Sequence, residues 1–207
     1  MRTGGTLLQA VAGRIVGRHL ATSGATGLLV VDSEFDPLKE AGVDVVCTLG
    51  GRGLRIKVQP DPYFGSDPEK WMDHSLSFYR KPAGAYALET IGHHVTRHPG
   101  WVFSSTANEA YYYFIAISQA EDEVAVLLDE PDRVFFSELA VDRDELHILP
   151  LPQLRTWFET ANERYPSRPV GRGDHSGWCR IVPVGEVAAA VPGISVQSGI
   201  FERLSPA

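Results

Sequence analysis

Two short runs of alternating character, Val43-Asp44-Val45-Val46-Cys47-Thr48-Leu49 and Leu54-Arg55-Ile56-Lys57-Val58-Gln59, flank the glycine-rich stretch Gly50-Gly51-Arg52-Gly53. Such a pattern predicts a β-hairpin. With all four intervening residues in the turn, Asp44 falls opposite Gln59, Val46 opposite Lys57 and Thr48 opposite Arg55. Side chains alternate along a strand, so Asp44, Arg55, Lys57 and Gln59 share one face, and Val43, Val45, Cys47, Leu54, Ile56 and Val58 the other. A carboxylate and a lysine on one face suit metal-assisted hydrolysis of a phosphodiester: the acid holds Mg²⁺ and the lysine orients or activates the water. The competing reading is a solvated outer face, which commonly carries such residues.

The elements that must position this face follow from periodicity. Leu7, Leu8, Val11, Ile15 and Val16 predict an amphipathic helix over residues 6–20. Gly13 and Gly17 each cost it roughly 1 kcal/mol against alanine, which fits close approach of another backbone on that side. Gly24 is its stop. Leu28 to Val31 predict a buried strand. Residues 60–74 are expected to form a loop, Ser75–Arg80 and Ala85–Thr90 strands, and residues 91–100 another loop. Thr106-Ala107-Asn108-Glu109 has capping-box spacing, and Tyr111–Ile117 is strongly β-prone. Glu123–Leu128 and Arg133–Phe136 are expected as edge strands, Pro152–Tyr165 as a helix, and residues 167–177 as a loop. A strand at Trp178–Val184 and a short helical piece at 185–191 follow. The expected class is α+β or α/β: a central mixed sheet with a β-hairpin core, flanked by helices, residues 1–207 making one domain.

Composition narrows the function classes. Hydrophobic residues make up 43% and charged residues 22%, an ordinary globular balance, and the formal net charge is −7. That charge argues against a surface that coats nucleic acid throughout, while leaving room for a local basic cleft. Only two cysteines occur, Cys47 and Cys179, which fits a reduced, cytoplasmic chain better than a disulfide framework. Arg14, Arg18 and His19 interrupt the N-terminal apolar stretch, so neither a signal peptide nor a membrane span is expected.

Other polar clusters have residue types that could carry chemistry. His94 and His98 are four apart, as are His175 and Cys179, and together they could form a tetrahedral Zn²⁺ site in a zinc-stabilised domain. The spacing matches no zinc-finger pattern, and loop histidines with a core cysteine are the plainer reading. Arg52, Arg55, Lys57, Arg80, Lys81 and Arg97 could meet phosphates. Tyr111-Tyr112-Tyr113-Phe114 could stack on bases, although aromatics packed into a core are commoner. The glycine-rich turn is no phosphate loop, since a strand rather than a helix follows it.

The order of motifs resembles the restriction-endonuclease-like PD-(D/E)xK nuclease superfamily, in a branch found in phages and bacteria. An N-terminal helix precedes a strand carrying Asp44, and the hairpin partner carries Lys57. Then come Ala87-Leu88-Glu89-Thr90, Gly100-Trp101-Val102-Phe103, and Ser105 to Tyr113. Pro150–Phe158 resembles that branch's Leu-Arg-Trp helix, and Ser176-Gly177-Trp178 through Val182-Pro183-Val184 its closing strand. The resemblance implies a Mg²⁺-dependent DNA-cutting fold with Asp44, Lys57 and Glu89 as catalytic residues, Asp44 and Glu89 holding the metal, and Arg52, Arg55 and Gln59 near nucleic acid. DNA is the implied partner, with a protein partner or a second copy of the chain as further expectations. One departure stands out. The family places an acid two residues before the lysine, and here that residue is Arg55, which removes a ligand and adds a positive charge. The family's acid in the first helix is matched only by Gln9. Glu89 could supply a second carboxylate, with Asp61 on a loop a poorer source. Otherwise the fold would be a catalytically inactive binding or scaffold module, with Arg55 paired to Asp44.

Overall fold

The computed structural model describes residues 4–31, 33, 35–62, 84–93, 95–170 and 177–205. The predicted strand at Ser75–Arg80, and Arg80, Lys81, His94 and His175, lie outside them. A long helix, α1 (Gly4–Thr22), leads into β1 (Thr26–Val30), the one-turn helix α2 (Pro37–Glu40) and the hairpin β2 (Val45–Leu49) and β3 (Arg52–Asp61). Then follow β4 (Ala85–His93), β5 (His98–Pro99), α3 (Trp101–Ser104) and β6 (Glu109–Ile117). Helices α4 (Glu121–Leu128) and α5 (Asp132–Glu138), strand β7 (Val141–Pro150) and helix α6 (Leu151–Ala161) come next. Strands β8 (Ser167–Val170) and β9 (Gly177–Pro183), helix α7 (Val184–Ala190) and β10 (Ser195–Ser198) complete the order. The class is α+β, with a mixed central sheet flanked by helices.

The central sheet runs β1-β2-β3-β6-β7-β10, and a second sheet runs β5-β4-β9-β8. All described pairings are antiparallel except β3 with β6, which is parallel. Strand β6 explains the division of the core. Tyr111, Tyr113 and Ile115 point into one cluster with α1, α4 and α5, while Ala110, Tyr112 and Phe114 point into another with α3, α6, β4 and β9. A strand covered on both faces must be apolar throughout, hence the unbroken aromatic run. These rings are core, so the base-stacking reading of Tyr111–Phe114 is overturned. The two sheets are tied by buried polar links: Tyr86 Oη lies 2.6 Å from His147 Nδ1, and the Ala87 N–H donates to Tyr112 Oη at 2.8 Å. Tyr112 in turn donates to Asp61, which is the buried end of β3 rather than a loop residue.

The hairpin forms in a tighter register than its sequence predicts. Gly50 and Gly51 both take positive φ, 57° and 76°, so the turn holds two residues rather than four. Leu49 therefore pairs with Arg52, Thr48 with Gly53 and Val46 with Arg55. A slip by two residues keeps each side chain on its predicted face. It also carries Lys57 from Val46 to Asp44. Val43 leaves the hairpin's first core and joins the second one.

Several expectations change for reasons of tertiary context. Glu121–Leu128 and Asp132–Glu138 are helices, not edge strands, because each buries one side (Val124; Phe135 and Phe136) against α1's cluster. Strand β1 is an edge strand with Leu29 50% exposed, not a buried one. The stretch at 91–100 contains the end of β4 and all of β5. Thr106–Glu109 caps no helix: the Arg55 N–H donates to Asn108 Oδ1 and the Asn108 N–H to the Arg55 carbonyl, bringing β6 alongside β3. Strands β7 and β10 lie where the sequence pattern predicts no strand. The loop expected over 167–177 begins with β8, Ser167–Val170, and ends with the first residue of β9, residues 171–176 lying outside the described ones. Among the described residues no helix is long and apolar enough to cross a membrane.

Gly13 and Gly17 of α1 face Val30. A Cβ on Gly13 would meet its Cγ1 at 3.8 Å, ordinary contact, whereas one on Gly17 would meet its Cγ2 at 2.8 Å. Gly13→Ala is therefore expected to stabilise the protein by about 1 kcal/mol. Gly17→Ala should gain nothing in the wild-type background and recover that gain when Val30 is also cut to alanine. Urea midpoints for the four variants check this; equal gains from both glycine changes would refute the close contact.

Candidate functional site

Asp44 sits just before β2, and its position is set by the turn that precedes it. Asp36 caps α2, its Oδ1 accepting the Leu38 N–H at 2.8 Å, and Pro37 opens the helix. Gly42 then reverses the chain at φ 68°. A Cβ there would lie 2.9 Å from Cα and Cβ of Ser105, whose hydroxyl donates to the Gly42 carbonyl at 2.6 Å. The reversal folds α2 back over the start of β2, so that Lys39 meets the side chain of Asp44.

Asp44 as a residue is 3% exposed, which removes the solvated-face reading for it. Its Oδ2 accepts from Lys57 Nζ at 2.9 Å and from the Val58 N–H at 2.8 Å, and its Oδ1 accepts from Lys39 Nζ. Burial pushes the Asp44 carboxyl upward, but the Lys57 and Lys39 charges and their hydrogen bonds outweigh it and hold it below the ordinary carboxylate value. The pairing with Arg55 expected for an inactive module does not form. Arg55 is exposed and its Nη2 donates to Thr106 Oγ1 at 2.5 Å.

Glu89 comes within electrostatic reach of Lys57 from the second sheet. It lies where β4 bulges against β9, and its Oε2 accepts the Trp101 N–H at 3.2 Å. Two glycines make room for it. A Cβ on Gly100 would fall 2.2 Å from the Glu89 carbonyl oxygen, and one on Gly177 would lie 3.1 Å from Glu89 Oε1. Burial raises the Glu89 carboxyl above its usual value, opposed by the Trp101 N–H and by the charges of Lys57 and His98. Lys57 thus acts on both carboxylates, bonded to Asp44 and within electrostatic reach of Glu89.

No protein-family model, curated protein or solved structure matches this chain.

The remaining sequence candidates are scattered. Arg52 is exposed and pairs with Glu109 Oε1 at 3.2 Å. Gln59 Nε2 donates to the Pro60 carbonyl at 3.3 Å. Gln9 does reach the site's edge: its Nε2 donates at 3.0 Å to the carbonyl of Val58, the residue whose N–H holds Asp44. For the zinc reading, His94 and His175 lie outside the described residues, His98 is exposed on β5, and buried Cys179 donates its thiol to the Arg168 carbonyl. Among the described residues no three His, Cys, Asp or Glu side chains form a metal-holding group. The donor set at Asp44 does not suit a divalent ion either. It offers one carboxylate bracketed by two ammonium groups, a second carboxyl that burial inclines toward neutrality, and a guanidinium, Arg55, two residues before Lys57. Hard cations need several oxygen ligands. Lys39 escaped the sequence reading, although the Asp36-Pro37 helix start and the Gly42 stop were signals that a short helix precedes Asp44.

These opposite shifts make stability pH-dependent in a defined way. Asp44, depressed in the folded state, contributes stability that is present above its unfolded pKa and lost as pH falls through its folded pKa. Glu89, raised, has the reverse sign: the folded state holds its proton longer, so stability falls as pH rises from the unfolded to the folded pKa. Glu89→Gln should remove that fall and leave the acid limb intact, while Asp44→Asn should cost about 3 kcal/mol near neutrality. Denaturant titrations from about pH 3 to pH 8 measure both, and an unchanged profile in Glu89→Gln would show that its carboxyl is not desolvated.

Proposed function

We propose that this chain is a DNA-binding module on a restriction-endonuclease-like fold whose metal-dependent cutting site has become lysine-filled. The observation that carries the reading is the saturated carboxylate of Asp44, held by Lys57, Lys39 and the Val58 N–H, with Arg55 where an acid would complete a metal site. Lys39 and Lys57 meet on Asp44, and Arg55 shares the face of β3 that carries Lys57, which gathers positive charge locally on a chain of net charge −7. Phosphate contacts need such local cations, and the acidic remainder keeps nucleic acid from binding elsewhere. Buried Cys47 and Cys179, not joined in a disulfide, fit a reducing cytoplasmic setting.

A second reading keeps the enzyme. Its support is Glu89: a desolvated carboxyl within electrostatic reach of Lys57 is the kind of perturbed group found at catalytic centres. In that reading Asp44 and Glu89 would hold Mg²⁺ after Lys39 withdraws, and Lys57 would stand by the attacking water.

The two are separated by one set of measurements. Purified protein should bind duplex or single-stranded DNA with an affinity that falls steeply as salt rises. Arg55→Ala should weaken binding on all sequences and reduce the log–log salt slope by about 1. Neither Mg²⁺ nor Mn²⁺ should produce nicking. Absence of salt-dependent DNA binding would remove the binding-module reading, and nicking abolished by EDTA and by Lys57→Ala would replace it with the enzyme.

A further inference from the structure

We infer that Lys39 is a resident cation at Asp44, occupying the carboxylate oxygen that a divalent ion would need and presenting an ammonium pair with Lys57 to a phosphodiester. The ligand class rests on the DNA-binding reading; the substitution of lysine for metal does not. An ionised carboxylate offers about four acceptor positions on its two oxygens. In Asp44 three are taken, one by Lys39, one by Lys57 and one by the Val58 N–H. The charges read −1 for Asp44 against +2 for the lysines. A divalent ion at the same carboxylate would face both ammonium groups at contact range, and the residue two before Lys57 on β3 is Arg55 rather than an acid. The acid of β3, Asp61, lies at the strand's far end and accepts from Tyr112.

Lys39 is placed by the fold rather than by a free side chain. Its helix is capped by Asp36, begins with Pro37 and ends at Glu40, and the chain then reverses at Gly42, whose positive φ and contact with Ser105 admit no Cβ. The Lys39 side chain is 28% exposed and that of Lys57 15%, against 4% for Asp44. The carboxylate is therefore at the bottom and the two ammonium groups lie above it, toward solvent. Each ammonium has three N–H donors and spends one on Asp44. The remaining donors can bind phosphate oxygens directly, the task that a bridging metal would otherwise perform.

Mn²⁺ is the probe, followed by isothermal calorimetry and by water-proton relaxation. Lys39→Met keeps most of the aliphatic stem and removes the charge. It should bind Mn²⁺ at least tenfold more tightly than wild type, and Asp44→Asn added to it should abolish the gain. Lys57→Met, which leaves Lys39 on Oδ1, should show no such gain. Wild type binding Mn²⁺ as tightly as Lys39→Met, or no gain in Lys39→Met, would overturn the inference. Should Lys39→Met fail to fold, ¹H–¹⁵N spectra of wild-type lysine ammonium groups decide: two exchange-protected signals that vanish in Asp44→Asn support it, and no protected Lys39 signal overturns it. DNA binding of the same proteins in EDTA is read separately. A gain of Mn²⁺ affinity in a protein that binds no DNA leaves Lys39 in the metal's place and removes only the phosphodiester.

Discussion

The buried carboxylate of Asp44 sets the terms for this half of the molecule. Taking an ionised acid out of water costs several kcal/mol unless charge and hydrogen bonds replace the solvent. Asp44 meets that demand with two ammonium groups and a peptide N–H, and each arrives from a different local device. The two-glycine turn sets the register that brings Lys57; the cap on α2 and the reversal at Gly42 bring Lys39; β3 supplies the Val58 N–H. Remove the carboxylate and these devices have nothing to converge on.

The second sheet is fastened to the first by groups that could not stay buried alone. Tyr86 meets His147, whose Nε2 lies 2.6 Å from Glu145 Oε1, while Tyr112 joins Asp61 to the backbone of Ala87. These links hold β4 against one face of the central sheet, and with it Glu89. The glycines at 100 and 177 then let two backbones close on that side chain. Glu89 is thus desolvated by packing, whereas Asp44 is ionised by pairing. Two carboxyls in one neighbourhood have been pushed in opposite directions, and Lys57 acts on both.

Much of this was legible in residue patterns. The apolar spacing of Leu7, Val11 and Ile15 marks α1, the alternation on either side of Gly50-Gly51 marks the hairpin, and Leu154 with Phe158 marks α6. Short segments were harder. Val124 to Leu128 and Val134 to Phe136 carry too few residues for their period to separate helix from strand, and packing against α1 decides them. Strand β7 was missed because Asp142, Arg143, Asp144 and Glu145 look like a loop. Asp144 is nevertheless buried, accepting from the Tyr113 hydroxyl at 2.8 Å and the Phe201 N–H at 3.0 Å.

The sequence by itself determined that Asp44 and Lys57 stand on one face of one hairpin, because alternation and a glycine turn act within a few residues. It also marked Glu89 and the Gly100-Trp101 step as neighbours in a motif order. Tertiary structure alone decided that Asp44 is buried, that Lys39 rather than Arg55 shares it with Lys57, and that Glu89 is desolvated within reach of the same lysine. The physical reason is range. Backbone geometry is written locally, but the neutralisation of a buried charge depends on whichever groups the packed chain brings within a few ångströms.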